Sequence, residues 1–366
     1  MGLGGAPGNV AISGEELLER APVAFDSSRL AAGLAGRRIL VAGAGGSVGS
    51  ALSERLAALR PAELVLLDSH EPSLFRLRSR LLAGWPDGQY RWALADVRDE
   101  RKLAALFRQC RPQVVFHLAA CKQVPLGEEN VDQVFDVNVL GTVGLVRQAT
   151  LAGVGTVVYP STDKAVNPPS VYGASKRVVE RYLAVVGRRG DAVTPRVVRL
   201  VNVFGTQGSV IETFARQILA GDPITITDLR MTRYWMTMRE TVDLLAWVAR
   251  SEGAADSRIL DVGQPVPLEA TARRLGSILR PEAEITIRCV GIRPGERLSE
   301  ELTYSYERLD PTAHPGVRAI RDTRGPAAFG GDLEAGIQSL SDELYDLERA
   351  ELRKRLFALA AGEQAS

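Results

Sequence analysis

Between residues 37 and 201 six short apolar runs, at 38–42, 63–67, 89–95, 113–117, 156–159 and 196–201, alternate with longer stretches whose apolar residues recur at helical spacing. A strand that is followed by a helix cannot turn back on itself as a hairpin. The helix returns the chain to the starting edge, so successive strands run parallel and helices cover both faces. Strands buried on both faces read as unbroken apolar runs, and these do. The fold class that follows is α/β, a Rossmann-type doubly wound parallel sheet. Beyond about residue 204 the alternation loosens into short mixed elements with turn signals at Gly221-Asp222-Pro223 and Arg293-Pro294-Gly295. That pattern predicts a smaller α/β substrate-binding domain, with interleaved segments, over the carboxyl edge of the sheet where ligands of such folds sit.

The expected division is an N-terminal extension over residues 1–35, an NAD(P)-binding domain over 36–204, the substrate-binding domain over 205–330 and a helical segment over 331–366. The extension carries no recognisable chemistry and is expected to pack on the body or fray. Leucines at 340, 344, 347, 352, 356 and 359 mark one core-facing or subunit-contacting helix in the last segment. A net charge of +1 gives no electrostatic basis for nucleic acid or a membrane surface as main partner. The 3 cysteines, Cys110, Cys121 and Cys289, lack a CxxC spacing and only 3 histidines are present, so neither a disulfide framework nor a metal site is expected. Free buried thiols and the lack of an apolar run of membrane-spanning length place the protein in the cytoplasm.

Directly after the first apolar run comes Ala42-Gly43-Ala44-Gly45-Gly46-Ser47-Val48-Gly49, leading into a helical stretch over residues 50–59. Glycines 43, 46 and 49 permit a tight turn and close packing, so that a pyrophosphate can sit on the helix N-terminus, with Ser47 and Val48 of the loop also expected to bind the cofactor. About twenty residues on, Asp68 ends the second run, at the distance where an acid accepts hydrogen bonds from an adenosine ribose. Asp96 and Val97 follow the third run and suit the adenine edge. Asp68 would repel a 2′-phosphate, which favours NAD, while Arg76 and Arg78 nearby leave NADP open.

Tyr172-Gly173-Ala174-Ser175-Lys176 sets a phenol and an ammonium one helical turn apart on one face. A tyrosine ionises near pH 10, so a base working near pH 7 needs about 4 kcal/mol of preferential phenolate stabilisation, which Lys176 and a nicotinium ring can supply. Ten residues earlier, Thr162-Asp163-Lys164 brings a hydroxyl, a carboxyl and an amine together at a strand end.

These features resemble the extended short-chain dehydrogenase/reductases, and further segments narrow the resemblance. They are residues 119–125 (AACKQVP), 161–168 (STDKAVNP), 208–210 (GSV), 224–235 (ITITDLRMTRYW), 291–297 (GIRPGER) and His314-Pro315. The set is similar to the UDP-N-acetylglucosamine 4,6-dehydratases of the polysaccharide-biosynthesis group, in a soluble form, over about residues 37–317. The resemblance implies that Tyr172, with Lys176 and Thr162, deprotonates the sugar 4-hydroxyl while hydride leaves C4 for the nicotinamide. Lys164 then removes the C5 proton, Asp163 protonates the departing 6-hydroxyl, and hydride returns to C6. It implies a tightly bound, recycled cofactor contacted also by Ala119 and Ala120. Lys122, Asn202, Val210, Arg233, Arg293 and Glu296 fall at positions that hold the nucleotide sugar, and a homo-oligomer is expected by analogy.

Within that group the inverting enzymes typically keep a tyrosine where retaining ones often carry methionine, so Tyr172 points to inversion at C5. Residues 17–23 resemble the segment that precedes the catalytic domain in longer, membrane-anchored members, many of them retaining. One stretch departs from the group: Val201-Asn202-Val203 and Thr206-Gln207-Gly208-Ser209 lack an expected glycine and arginine. The sugar and the base therefore stay open, with a 4-epimerase or decarboxylase and a non-catalytic dinucleotide-sensing protein as the competing readings. The Asp163-Lys164 pair argues against the epimerase, and the Tyr172/Lys176 pair against the sensor.

Overall fold

The computed structural model describes residues 14–18, 20–250, 257–324 and 333–362. Its centre is a nine-stranded sheet, with strands β1 (Arg38–Ala42), β2 (Glu63–Asp68), β3 (Tyr90–Leu94), β4 (Val114–His117), β5 (Thr156–Thr162), β6 (Thr194–Leu200), β7 (Ser257–Leu260), β8 (Glu307–Pro311) and β9 (Val317–Asp322). The order across the sheet is β8-β9-β7-β6-β5-β4-β1-β2-β3. β1 pairs in parallel on both sides, Ile39 standing opposite Leu64 of β2 and Val114 of β4. The chain therefore winds outwards in both directions from β1, and a crevice opens at the carboxyl ends of β1 and β4. β7 continues the parallel run, while β8 and β9 close the far edge antiparallel. Successive side chains of a strand face opposite sides, so Leu40, Val65 and Val115 enter one core while Ile39, Leu64 and Phe116 enter the other.

β7, β8 and β9 all come from beyond residue 204, so that stretch returns to the large sheet after leaving it. Its remainder forms a smaller cluster around Phe204, Phe214, Ile224, Trp235 and Leu275, which also takes in Leu17 and Leu18. Farther along, Leu30 and Leu34 are buried in the large core, so the described part of the N-terminal extension packs on the body. At the other end two helices, Leu333–Asp342 and Arg349–Ala361, stand where one was expected. Leu340, Leu344 and Leu347 lie three and four residues apart, but the next leucine is 352 rather than 351. A turn resets the phase, and the second helix packs along the Val171–Arg188 helix. Of the cysteines Cys110 is buried, whereas Cys289 is exposed, against expectation. Among the described residues no helix is long and apolar enough to cross a membrane.

The Val171–Arg188 helix is tied to the sheet by buried charge. Arg199 on β6 is 1% exposed; it donates to Glu180 of that helix at 2.8 and 2.9 Å and to Glu307 of β8 at 2.6 and 2.9 Å. Burial alone would raise the Glu180 carboxyl, but the charge and hydrogen bonds of Arg199 overcome it and hold the group at about 2. Against an ordinary value of 4.5, this stabilises the fold fully above pH 4.5, and the contribution is lost as pH falls towards 2. Arg199→Met leaves Glu180 with Arg177 alone and Glu307 without its buried cation, and is expected to cost ~3–5 kcal/mol in denaturant unfolding at pH 7. The parent protein should lose stability most steeply between pH 4.5 and 2.

Candidate active site

The first βα turn runs from β1 into the Ser47–Ala58 helix, which begins three residues earlier than its apolar spacing predicts. Gly43 adopts φ +81°, and a Cβ there would lie 2.5 Å from the Ala119 nitrogen beyond β4. A Cβ on Gly49 would lie 1.9 Å from the Gly43 carbonyl oxygen. Packing thus demands both of those glycines. Gly46 differs: a Cβ there would meet only the Gly43 oxygen, at an ordinary 3.5 Å, so the protein alone does not require a glycine. No side chain caps the helix that starts beside it, which leaves backbone donors of the kind that receive a phosphate. The Ser47 hydroxyl accepts instead from the Gln207 backbone N–H at 3.0 Å.

Asp68 ends β2 with its carboxylate against this turn, accepting from the Gly45 and His70 backbone N–H groups at 2.7 and 2.8 Å. Asp96 is engaged by Arg98, whose guanidinium donates to both of its oxygens at 3.0 and 2.7 Å. That hydrogen bonding, with the Arg98 charge, outweighs burial and lowers the Asp96 carboxyl. Val97 between them in sequence is buried in the core. Asn138, in a π-helical turn over Asp136–Leu140, clasps the backbone of Cys121 through both ends of its amide and so holds the segment of Ala119, Ala120 and Lys122. Lys122 in turn donates to the Gln207 carbonyl at 2.8 Å.

The catalytic candidates converge where β5 ends. Thr162 caps a short 3₁₀ turn over Asp163–Ala165, and Ser170 caps the Val171–Arg188 helix through the Gly173 N–H. Gly173 is what lets these two elements meet, because a Cβ there would lie 2.1 Å from the Lys164 carbonyl oxygen. The Thr162 hydroxyl donates to Asp163 Oδ1 at 2.9 Å and hydrogen-bonds the Tyr172 phenol. Lys164 Nζ lies 3.0 Å from Asp163 Oδ1, 3.4 Å from Asn202 Oδ1 and 3.5 Å from Glu300 Oε1.

Electrostatics separate the two lysines. Burial would depress the Lys164 amine, but Asp163 and Glu300 more than offset this and keep it an ammonium, raised above the usual lysine range. Lys176, 4% exposed, donates to the Pro160 carbonyl at 3.0 Å over the Tyr159 ring, and burial lowers it to about 7. Burial raises the Tyr172 phenol; Lys164 and Thr162 oppose this without cancelling it. Tyr172 therefore rests as a phenol, and the Lys164 ammonium is a cation acting on it.

The substrate candidates divide. Asn202 belongs to the cluster, held by its donation to the Tyr234 carbonyl at 3.2 Å. Arg233 is buried beside it, donating to the carbonyls of Thr232, Leu298 and Arg297 and pairing with Glu300 at 3.8 Å. Arg293 is exposed, and its backbone N–H meets the Glu296 carboxylate at 3.4 Å in a turn packed on Ser170 and Val124. Val210 opens a helix capped by Ser209. Residue-by-residue reading missed Arg98, Asn138 and Glu300. The run at 291–297 ends three residues before Glu300, but nothing in the sequence separates it from the adjacent, exposed Glu301.

Comparison with known proteins matches this arrangement to others. Over 353 residues the chain is 35% identical to the probable polysaccharide biosynthesis protein EpsC of Bacillus subtilis, covering 95% of this chain and 57% of EpsC. It therefore spans little more than half the length of that relative. It is 30% identical to the inverting UDP-N-acetylglucosamine 4,6-dehydratase of Campylobacter jejuni, covering 74% and 81% of the two chains. Identity to the UDP-glucose 4-epimerase of Rickettsia bellii is 29%, covering 74% and 79%. Among solved structures, a double mutant of the dTDP-glucose 4,6-dehydratase DesIV of Streptomyces venezuelae, with NAD and DAU bound, superposes with a TM-score of 0.62 at 26% identity, covering 72% and 88%. The family described as "Polysaccharide biosynthesis protein" matches residues 39–322, which take in the glycine turn, the Thr162-Asp163-Lys164 cluster and the Tyr172 helix alike, and it is to this family that the chain belongs.

Proposed function

We propose that the protein is an NAD-dependent nucleotide-sugar 4,6-dehydratase that converts UDP-N-acetylglucosamine to a UDP-4-keto-6-deoxy-N-acetylhexosamine with inversion at C5. The observation that carries this reading is the contact of Lys164 with Asp163 at 3.0 Å, beside the Thr162 hydroxyl that also bonds Tyr172. A 4-epimerase needs one proton acceptor at O4. A dehydratase needs an acid for O6 and a base for C5 as well, and here both stand within reach of that acceptor.

Cofactor binding is supported by Gly46, whose missing side chain serves no packing need, and by Asp68, which places negative charge where a 2′-phosphate would otherwise sit. Bound NAD supplies a hydride acceptor for C4 and gives the hydride back at C6, so it is recycled within one turnover. Tyr172 accepts the 4-hydroxyl proton as its own passes to Thr162, and the Thr162 proton passes across 2.9 Å to Asp163. Asp163, now an acid, protonates the 6-hydroxyl and releases water. The C4 ketone acidifies the C5 proton, which the Lys164 amine removes. The proton taken at O4 thus leaves with O6, which balances the reaction without a free phenolate at rest.

Purified protein incubated with UDP-N-acetylglucosamine in deuterated water, with NAD added, should yield a product lighter by one water and carrying deuterium at C5, read by mass spectrometry and NMR. Unchanged mass with a new configuration at C4 would establish the epimerase instead. The losses at Val201 and Gln207 make other nucleotide sugars the next substrates, and no product from any of them would overturn the proposal. Lys164→Ala should abolish water loss while some C4 oxidation persists, slowed by the loss of the cation beside Tyr172 and seen as trapped reduced cofactor. Gly46→Ala should leave the melting temperature unchanged but weaken NAD binding by about tenfold or more, ~1.4 kcal/mol, in a direct titration.

A further inference from the structure

Lys164 can take a proton from C5 only as a neutral amine, yet its surroundings hold it as an ammonium. Asp163 is not free to relieve it, because in the proposed reaction that carboxylate must receive the proton arriving through Thr162. The remaining group in contact is Glu300. Its side chain is 4% exposed, Oε1 is 3.5 Å from Lys164 Nζ and 3.8 Å from Arg233 Nε, and Oε2 is buried with no hydrogen-bond partner in the protein. That oxygen accepts no hydrogen bond from the protein, so its lone pairs are open to a proton.

We propose that Glu300 is the proton store for Lys164, taking a proton from its ammonium before elimination and restoring it afterwards. This rests on the dehydratase reading above. One N–H proton moves from Lys164 to Glu300. The freed lone pair takes the C5 proton, the C5–H electrons become the C5–C6 double bond, and the C6–O pair leaves with water on the proton from Asp163. Once C6 has taken up hydride, a water on the opposite face of the ring protonates C5 and so inverts it, Lys164 yields the proton taken from C5 to solvent in its place, and Glu300 re-protonates the amine. Tyr172, Thr162, Asp163, Lys164 and Glu300 then stand as they began. Asn202 Oδ1 at 3.4 Å stays beside the amine in both states, and Arg233 is the cation that faces Glu300 throughout.

The test compares Glu300→Gln with the parent on three readouts: formation of reduced cofactor, deuterium entry at C5, and water loss across a pH range. Glu301→Gln, a change of the exposed neighbour, is the control. The amide keeps the shape and an acceptor for Arg233 but cannot take the proton. C5 exchange and water loss should fall at least about a hundredfold while reduced cofactor forms near the parent rate, with Glu300→Asp restoring part of the loss. Undiminished water loss in Glu300→Gln overturns the proposal. A shifted pH profile with the same maximal rate also overturns it, since Glu300 would then act only by its charge. Equal loss of C4 oxidation and water loss would assign it a purely structural part and sink the idea too. A parent protein that epimerises and never dehydrates fails at the earlier step, so failure of the dehydratase reading is distinguishable from failure of Glu300.

Discussion

Everything in this protein depends on the parallel pairing of β1 with β2 on one side and β4 on the other. Two strands that leave a central one in opposite directions cannot both be covered by the same connection, so a crevice is left at their carboxyl ends. The glycine turn, Asp68 and the Ala119 segment all border that crevice because each stands at or just past the end of one of the three strands. The approach of Gly43 to Ala119, too close for any side chain, shows how tightly this pairing draws the turn onto the neighbouring strand.

A second constraint is the placement of charge in the interior. Arg199 joins Glu180 to Glu307, and so fixes the helix that carries Tyr172 and Lys176 against the far edge of the sheet. Lys164 is held between Asp163 and Glu300 in a similar way, although its side chain stays 22% exposed. Buried ion pairs of this kind add little net stability over apolar packing, but they hold a geometry, because breaking one leaves an uncompensated charge. In the first case the geometry is that of a scaffold. In the second it bears on protons, since the Lys164 ammonium stands where a neutral amine must later work.

Segments from beyond residue 204 complete both arrangements. Tyr304 donates to the Ala165 carbonyl at 2.9 Å and Arg297 to the Val166 carbonyl at 3.2 Å, so the turn that bears Asp163 and Lys164 is braced from the later part of the chain. The Gln207 backbone donates to the Ser47 hydroxyl and accepts from the Lys122 ammonium, joining the glycine turn to the opposite wall. The Gln207 side chain is not needed for that bridge.

The sequence by itself determined the parallel sheet, its first six strands to within a few residues, the glycine turn and the clustering of Thr162, Asp163 and Lys164 near Tyr172. These are local facts, since apolar runs, glycine spacing and strand-end residues act over distances the chain shows directly. Only the tertiary structure decided which charges meet. Glu300 reaches Lys164 from 136 positions away, and Arg98 donates to both oxygens of Asp96. Lys176 turns to the Pro160 carbonyl. The sign of each proton equilibrium depends on burial against partner charge, and both are set by packing between segments far apart in the chain.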